Sequence, residues 1–208
     1  MDKPNSQEQF DTETRILRAA RQVFFKQGMA GARMQDIADQ AGVNKALLHY
    51  YFRSKDKLFQ TIFTQAFQTM LESFKAIIAS PMSITEKLES FIHVYISNMR
   101  LNPYLPLFII TEINKRPEVF PRQLVPEHQQ VDLKKLFAQI QKEIAEGRIA
   151  PFQPMHLIMN VLGMSIFSFI AKPMMIHMLG VNEKQYEHFL NEREAQIIAF
   201  VRSALKTS

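Results

Sequence analysis

Residues 28–58, GMAGARMQDIADQAGVNKALLHYYFRSKDKL, decide the fold. They read as two short helices, 34–41 and 45–52, on either side of a tight turn at Gly42, with a further helix beginning at Lys55. Two helices that cross steeply need a side chain no larger than a methyl where they touch, and Ala38 stands at that place. The turn needs a residue that tolerates positive φ, which Gly42 supplies. Ile37, Ala41, Val43 and Leu48 fall where a small core takes apolar groups, and Asn44 is placed to cap the second helix. That second helix also carries polar and aromatic groups that no core would use. The pattern is that of a helix presented to the major groove of DNA.

Outward from this stretch the punctuation is helical throughout, and nothing reads as a strand. A helix over 12–27 places Ile16, Leu17, Ala20, Val23 and Phe24 on one face, with Gly28 as its stop. A long helix is expected from Lys55 to about Ala79, ahead of Pro81. Leu88, Phe91, Ile92, Tyr95, Ile96 and Met99 recur at helical spacing over 84–100. Asn102-Pro103 reads as the cap and first position of the next helix, which ends at Lys115-Arg116-Pro117. Residues 118–126 read as a loop and 127–146 as a helix stopped by Gly147. Pro154 opens an apolar helix that Pro173 kinks or ends. Asn182 caps the last helix, with Gln185 completing a capping box. The sum is nine or ten helices with no internal repeat and no flexible linker.

Composition narrows the chemistry. The chain has no cysteine, which excludes disulfides, Cys-ligated zinc and thiol catalysis and fits a reducing cytoplasm. The N-terminus is polar and carries no secretory signal. Net charge is +5, and residues 1–60 hold a surplus of three of those charges, a mild bias toward polyanions in the N-terminal third. Residues 149–171 form a run of 23 without formal charge, but Pro151, Gln153, Pro154, His156, Asn160, Ser165 and Ser168 interrupt it, so a buried helix is expected and no membrane span. Glu89/His93 and His188/Glu192 are i, i+4 pairs that read as surface ion pairs and no metal site. No paired catalytic carboxylates, phosphate loop or nucleophile elbow is present, so neither an enzyme nor a cofactor is expected.

The stretch resembles the tetracycline-repressor (TetR) family of bacterial transcriptional regulators. The matching residues are Ile37-Ala38, Ala41-Gly42-Val43, Asn44-Lys45, Leu48, His49-Tyr50-Tyr51-Phe52, Ser54-Lys55 and Leu58, preceded by ILRAARQVFFKQG. The specific likeness covers residues 12–60. It implies that the helix at Lys45 enters the major groove, with Lys45 and Ala46 facing bases or backbone near its start. His49, Tyr50 and Tyr51 would then meet phosphates, sugars or thymine methyls, and Lys55 would hold a phosphate at the start of the next helix. Two positions depart from the family. The Thr or Ser that usually caps the second helix and binds phosphate is replaced at Ala32-Arg33, where Arg33 would replace the phosphate contact electrostatically but cannot cap. Ala46 stands for a common Gly. Leu47, where the family often has a polar residue, offers an apolar contact to a thymine methyl.

The expected architecture is all-α. An N-terminal three-helix helix-turn-helix DNA-binding domain, residues 8–60, is joined by a long helix to a C-terminal helical effector-binding and dimerisation domain, residues 61–208. Paired half-sites require a two-fold axis, and the last two helices, 154–179 and 183–206, are the expected homodimer interface. Phe74, Phe91, Tyr95, Phe108, Phe137, Met164 and Phe167, with Asn160 or His93 as polar anchor, are the candidate lining of an effector pocket suited to a small apolar or aromatic molecule. The resemblance thus implies a ligand-responsive, sequence-specific regulator, a repressor released from a palindromic double-stranded DNA operator. The competing expectation is a small-molecule-binding helical protein whose helix-turn-helix reads no specific sequence.

Overall fold

The computed structural model describes residues 6–115, 117–118 and 131–207, with side chains from Phe10 onward. Ten helices make up the described residues, and they contain no strand. The chain divides into two compact units, Met1–Phe67 and Gln68–Ser208.

The first unit holds α1 (Ser6–Gly31), α2 (Met34–Ala41), α3 (Lys45–Tyr51) and the beginning of α4 (Lys55–Ala79). Gly28 interrupts α1 with φ 68° and ψ 175°, so the regular helix ends at the expected glycine. Ile16, Ala20, Phe24, Ile37, Ala38, Leu48, Leu58 and Ile62 are fully buried and form one small core. Phe24 meets Phe59 edge to face at 5.0 Å, which seats α1 against α4 within this unit.

The second unit is built on α5 (Ile84–Leu101), followed by α6 (Leu105–Lys115), α7 (Leu133–Ala145), α8 (Pro154–Ile170), α9 (Lys172–Leu179) and α10 (Glu183–Leu205). Ile84, Leu88, Ile92 and Ile96 of α5 pack with Leu136 and Ile140 of α7, Leu157 and Val161 of α8, and Ile197, Val201 and Leu205 of α10. Two capping boxes pin helix starts. Ser83 and Glu86 close that of α5, and Asn182 and Gln185 close that of α10 as their spacing predicts.

Three boundaries differ from the sequence reading. Asn102 does not cap α6: its side chain turns back to donate to Asn98 O at 3.2 Å, it ends α5, and α6 begins at Leu105. Helix α7 starts at Leu133 under an Asp132 cap, while the expected start at 127 and all but the first residue of the expected loop over 118–126 lie outside the described residues. The apolar helix opened by Pro154 ends at Ile170, before Pro173, because Pro173 sits in the first turn of α9, where its missing N–H costs nothing. No single described helix is long and apolar enough to cross a membrane. Helices α8 and α9 reach that length only together, and they are bent by 72°.

Candidate nucleic-acid interface

Gly42 closes α2 in the left-handed conformation, φ 66° and ψ 36°, and its N–H and that of Val43 return to the carbonyls of Asp39 and Ala38. A Cβ at Gly42 would meet nothing within 4 Å, so the demand there is purely conformational. Ala38 is fully buried where α2 meets its neighbours. Asn44 then starts α3, its Oδ1 accepting from Leu47 N at 2.7 Å.

Seven residues in α3 fix what it can display. Successive side chains advance by about 100°. Leu48 and Phe52 are buried and Tyr51 half-buried, which sets one side of the helix inward. Ala46 and Tyr50 lie opposite that side, one turn apart, with Lys45 and His49 on one flank and Leu47 on the other. All five are exposed, Tyr50 at 73%. The Tyr50 and Tyr51 rings meet edge to face at 5.5 Å, and His49 Nδ1 lies 3.4 Å from Arg53 O.

Around α3 the framework is polar. Arg33 precedes α2 in extended conformation, exposed, and makes no capping bond. Lys55 is half-buried and donates to Ala32 O at 2.9 Å. Ser54 Oγ accepts from Lys57 N at 3.1 Å and so caps α4. Arg53, between α3 and α4, and Lys57, in the first turn of α4, are both exposed and were not among the expected contacts. The signal for them was a concentration of charge, three cations within residues 53–57.

A separate apolar cavity of about 210 Å³ lies in the second unit, walled by Phe74, Ile77, Phe91, Leu133, Leu136, Ile158 and neighbouring residues. Of the expected lining residues, Phe74 and Phe91 face it and stack at 4.3 Å. Tyr95 stacks on Phe91 at 5.9 Å but is buried behind it, and that burial pushes its phenol pKa upward. Phe108 is buried in α6, away from the cavity wall. Phe137 and Met164 are half-buried against the same core without lining the cavity. Asn160 and Phe167 point away from the core on the exposed side of α8, and His93 is exposed and paired with Glu194 at 2.8 Å. None of these three lines this cavity, neither Phe167 as an expected wall residue nor Asn160 or His93 as the expected polar anchor.

One wall residue was not foreseen. Lys87 is buried beside the cavity, where its ammonium donates to Ile78 O and to Gln139 Oε1, each at 2.7 Å. Gln139 Nε2 in turn donates to Met82 O and to Glu143 Oε1, and the buried Glu143 carboxylate also accepts from Ile84 N. Burial lowers the Lys87 pKa and the nearby Glu143 charge partly restores it. A lysine at a core position of the α5 apolar repeat, between Ile84 and Phe91, was the available clue.

The sequence profile of the bacterial regulatory proteins of the tetR family matches residues 16–62, the span that contains this geometry. The transcriptional regulator RutR of Escherichia coli K12 is 30% identical over 150 residues, 70% of this chain and 68% of RutR. The transcriptional repressor NicS of Pseudomonas putida is 32% identical over 87 residues, 40% of this chain and 41% of NicS. Among solved structures, the transcriptional regulator FadR of Bacillus subtilis, in complex with stearoyl-CoA, superposes with a TM-score of 0.58 at 19% identity. The match covers 93% of this chain and 100% of FadR, a likeness of fold.

Proposed function

The chain belongs to the tetR family of bacterial regulatory proteins, and from that premise we propose that it is a sequence-specific, ligand-responsive repressor acting as a homodimer. The observation that carries the reading is α3, a short helix whose Asn44 cap and buried Leu48 hold it firmly while Lys45, Ala46, Leu47, His49 and Tyr50 stay exposed. In this account the N-terminal part, residues 8–60, reads DNA and residues 61–208 bind ligand and dimerise. Arg33, Tyr51, Lys55, Arg53 and Lys57 would position the phosphate backbone around α3, with Asn44 ordering its first turn.

Repression is supported by NicS, named a repressor. Dimerisation through α8 and α10 is supported by large apolar side chains left exposed on them, Met155, Met159 and Phe167 on α8 and Phe189 and Phe200 on α10. Such a dimer would relate two α3 helices by a two-fold axis and calls for a palindromic operator.

The effector site is the apolar cavity. At about 210 Å³ it is smaller than the common range of about 300–1,000 Å³, which favours a compact apolar or aromatic ligand. Phe74, Ile77 and Ile78, on its wall, belong to α4, the helix that starts at Lys55 in the DNA-reading unit. A ligand that favours one position of α4 shifts the population between DNA-competent and DNA-incompetent dimers by its differential affinity for them, and by no more.

Selection of bound sequences from a random duplex pool tests the reading, with Lys45→Ala/Tyr50→Ala as control. Enrichment of one palindrome by the wild type and not by the control is expected. Absence of enrichment at low salt would overturn it and leave a helical ligand-binding protein without specific readout.

A further inference from the structure

Resting on the DNA-reading role proposed above, we infer that this chain recognises its half-site through thymine C5-methyl groups met by Ala46 and Leu47, with little direct hydrogen bonding to bases. The two side chains that pair bidentately with adenine, Asn and Gln, and the Arg that pairs with guanine are absent from α3, which reads Lys45-Ala-Leu-Leu-His-Tyr-Tyr51. Asn44 is the nearest amide, and it stands before the first turn of α3 with its orientation set by the cap, Oδ1 accepting from Leu47 N at 2.7 Å. His49 has Nδ1 directed to Arg53 O.

What remains at the outermost line of the helix is Ala46, with no hydrogen-bonding capacity, and Tyr50 one turn later. Leu47 flanks Ala46 and keeps 36% of its surface exposed, an apolar side chain of branched shape on the open side of α3. A methyl-sized residue at Ala46 lets the helix approach the base edges closely, and the thymine methyl is the one apolar group on the major-groove edge of the base pairs. Lys45 supplies the one permanently charged donor of α3, suited to one guanine beside the thymines, while the Tyr50 hydroxyl and the second His49 ring nitrogen are left to phosphate oxygens.

The test starts from the palindrome enriched in the selection and replaces each thymine singly by deoxyuridine. That change deletes the C5-methyl and preserves Watson–Crick pairing. At one or two positions per half-site the wild type is expected to bind about fourfold more weakly for each methyl lost, the value of burying one methyl-sized group. The Ala46→Gly/Leu47→Ser variant is expected to be indifferent to the same replacement, while its helical circular dichroism and its salt-dependent binding to random duplex show that it still folds. An enriched palindrome bound equally with thymine and deoxyuridine throughout would overturn methyl readout while leaving DNA recognition standing. Failure to enrich any palindrome would overturn both.

Discussion

The ammonium of Lys55, at the first position of α4, donates to the carbonyl of Ala32 across 2.9 Å and fastens the start of α4 to the segment between α1 and α2. The side chain is half-buried, and two of its three N–H groups stay free to meet a DNA phosphate. Lys55 is therefore a strut, and under the proposed function a phosphate contact as well. Lys55→Met is expected to lower the unfolding free energy by about 1 kcal/mol, the usual worth of such a bond with some exposure. It should also reduce the slope of log affinity against log salt by about one. Urea denaturation and binding at several salt concentrations check the two effects, and a change in neither contradicts the dual role.

Gly42 and Ala38 guard the same turn by different physics. Gly42→Ala adds a methyl into open space but forces it to φ 66°, so a loss of roughly 1–2 kcal/mol is expected with α3 still in place. Ala38→Leu overfills a fully buried contact and is expected to cost about 1–3 kcal/mol while also displacing α3. Urea denaturation with operator binding separates them. Gly42→Ala should keep most of its affinity when folded, and Ala38→Leu should not.

Lys87, Gln139 and Glu143 form one buried network tying the end of α4 to α5 and α7. Removing the carboxylate with Glu143→Ala leaves Lys87 buried without its counter-charge, at a cost of about 3 kcal/mol. The Lys87→Met/Glu143→Ala pair should fall short of the sum of its singles by roughly 1 kcal/mol or more. Burial also gives a pH signature. The folded-state pKa of Lys87 lies below its ordinary 10.5, so the unfolded chain holds the proton more tightly and stability rises as pH climbs through the folded pKa toward that value. Lys87→Met should remove this rise in alkaline denaturation curves.

Phe167 and Phe200 are more than half exposed on α8 and α10, an arrangement that a dimer interface would relieve. Phe167→Glu/Phe200→Glu is expected to convert the dimer to a monomer in sedimentation velocity. Operator affinity should fall with it, since each half-site then binds alone. A variant that stays dimeric would place the interface elsewhere.

Legibility in the sequence followed the range of the interaction. Gly28, Gly42, Ala38 and Asn44 answer local demands of turn, contact and cap, and each was readable where it stands. Ser83 with Glu86 was equally readable as a capping box, and only its spacing had to be noticed. In α8 the sequence is apolar nearly all round, so periodicity could not say that Asn160 and Phe167 face outward. Lys87 stands out locally as a lysine in the α5 apolar repeat, but its partners Gln139 and Glu143 lie far away in the chain, and that pairing leaves no mark in any window of sequence. Asn102 kept its place at a helix boundary but serves the helix behind it, because the turn at Pro103 and Tyr104 delays α6 by two residues.

The central claim is that α3 reads a base sequence. Its most direct measurement is the ratio of equilibrium affinities for the enriched palindrome and a scrambled duplex, both at about 150 mM salt. A ratio of about 10³ or more is expected for the wild type, reduced but still above one in the Lys45→Ala/Tyr50→Ala variant, which keeps Ala46 and Leu47. Equal affinity of the wild type for both duplexes would contradict it.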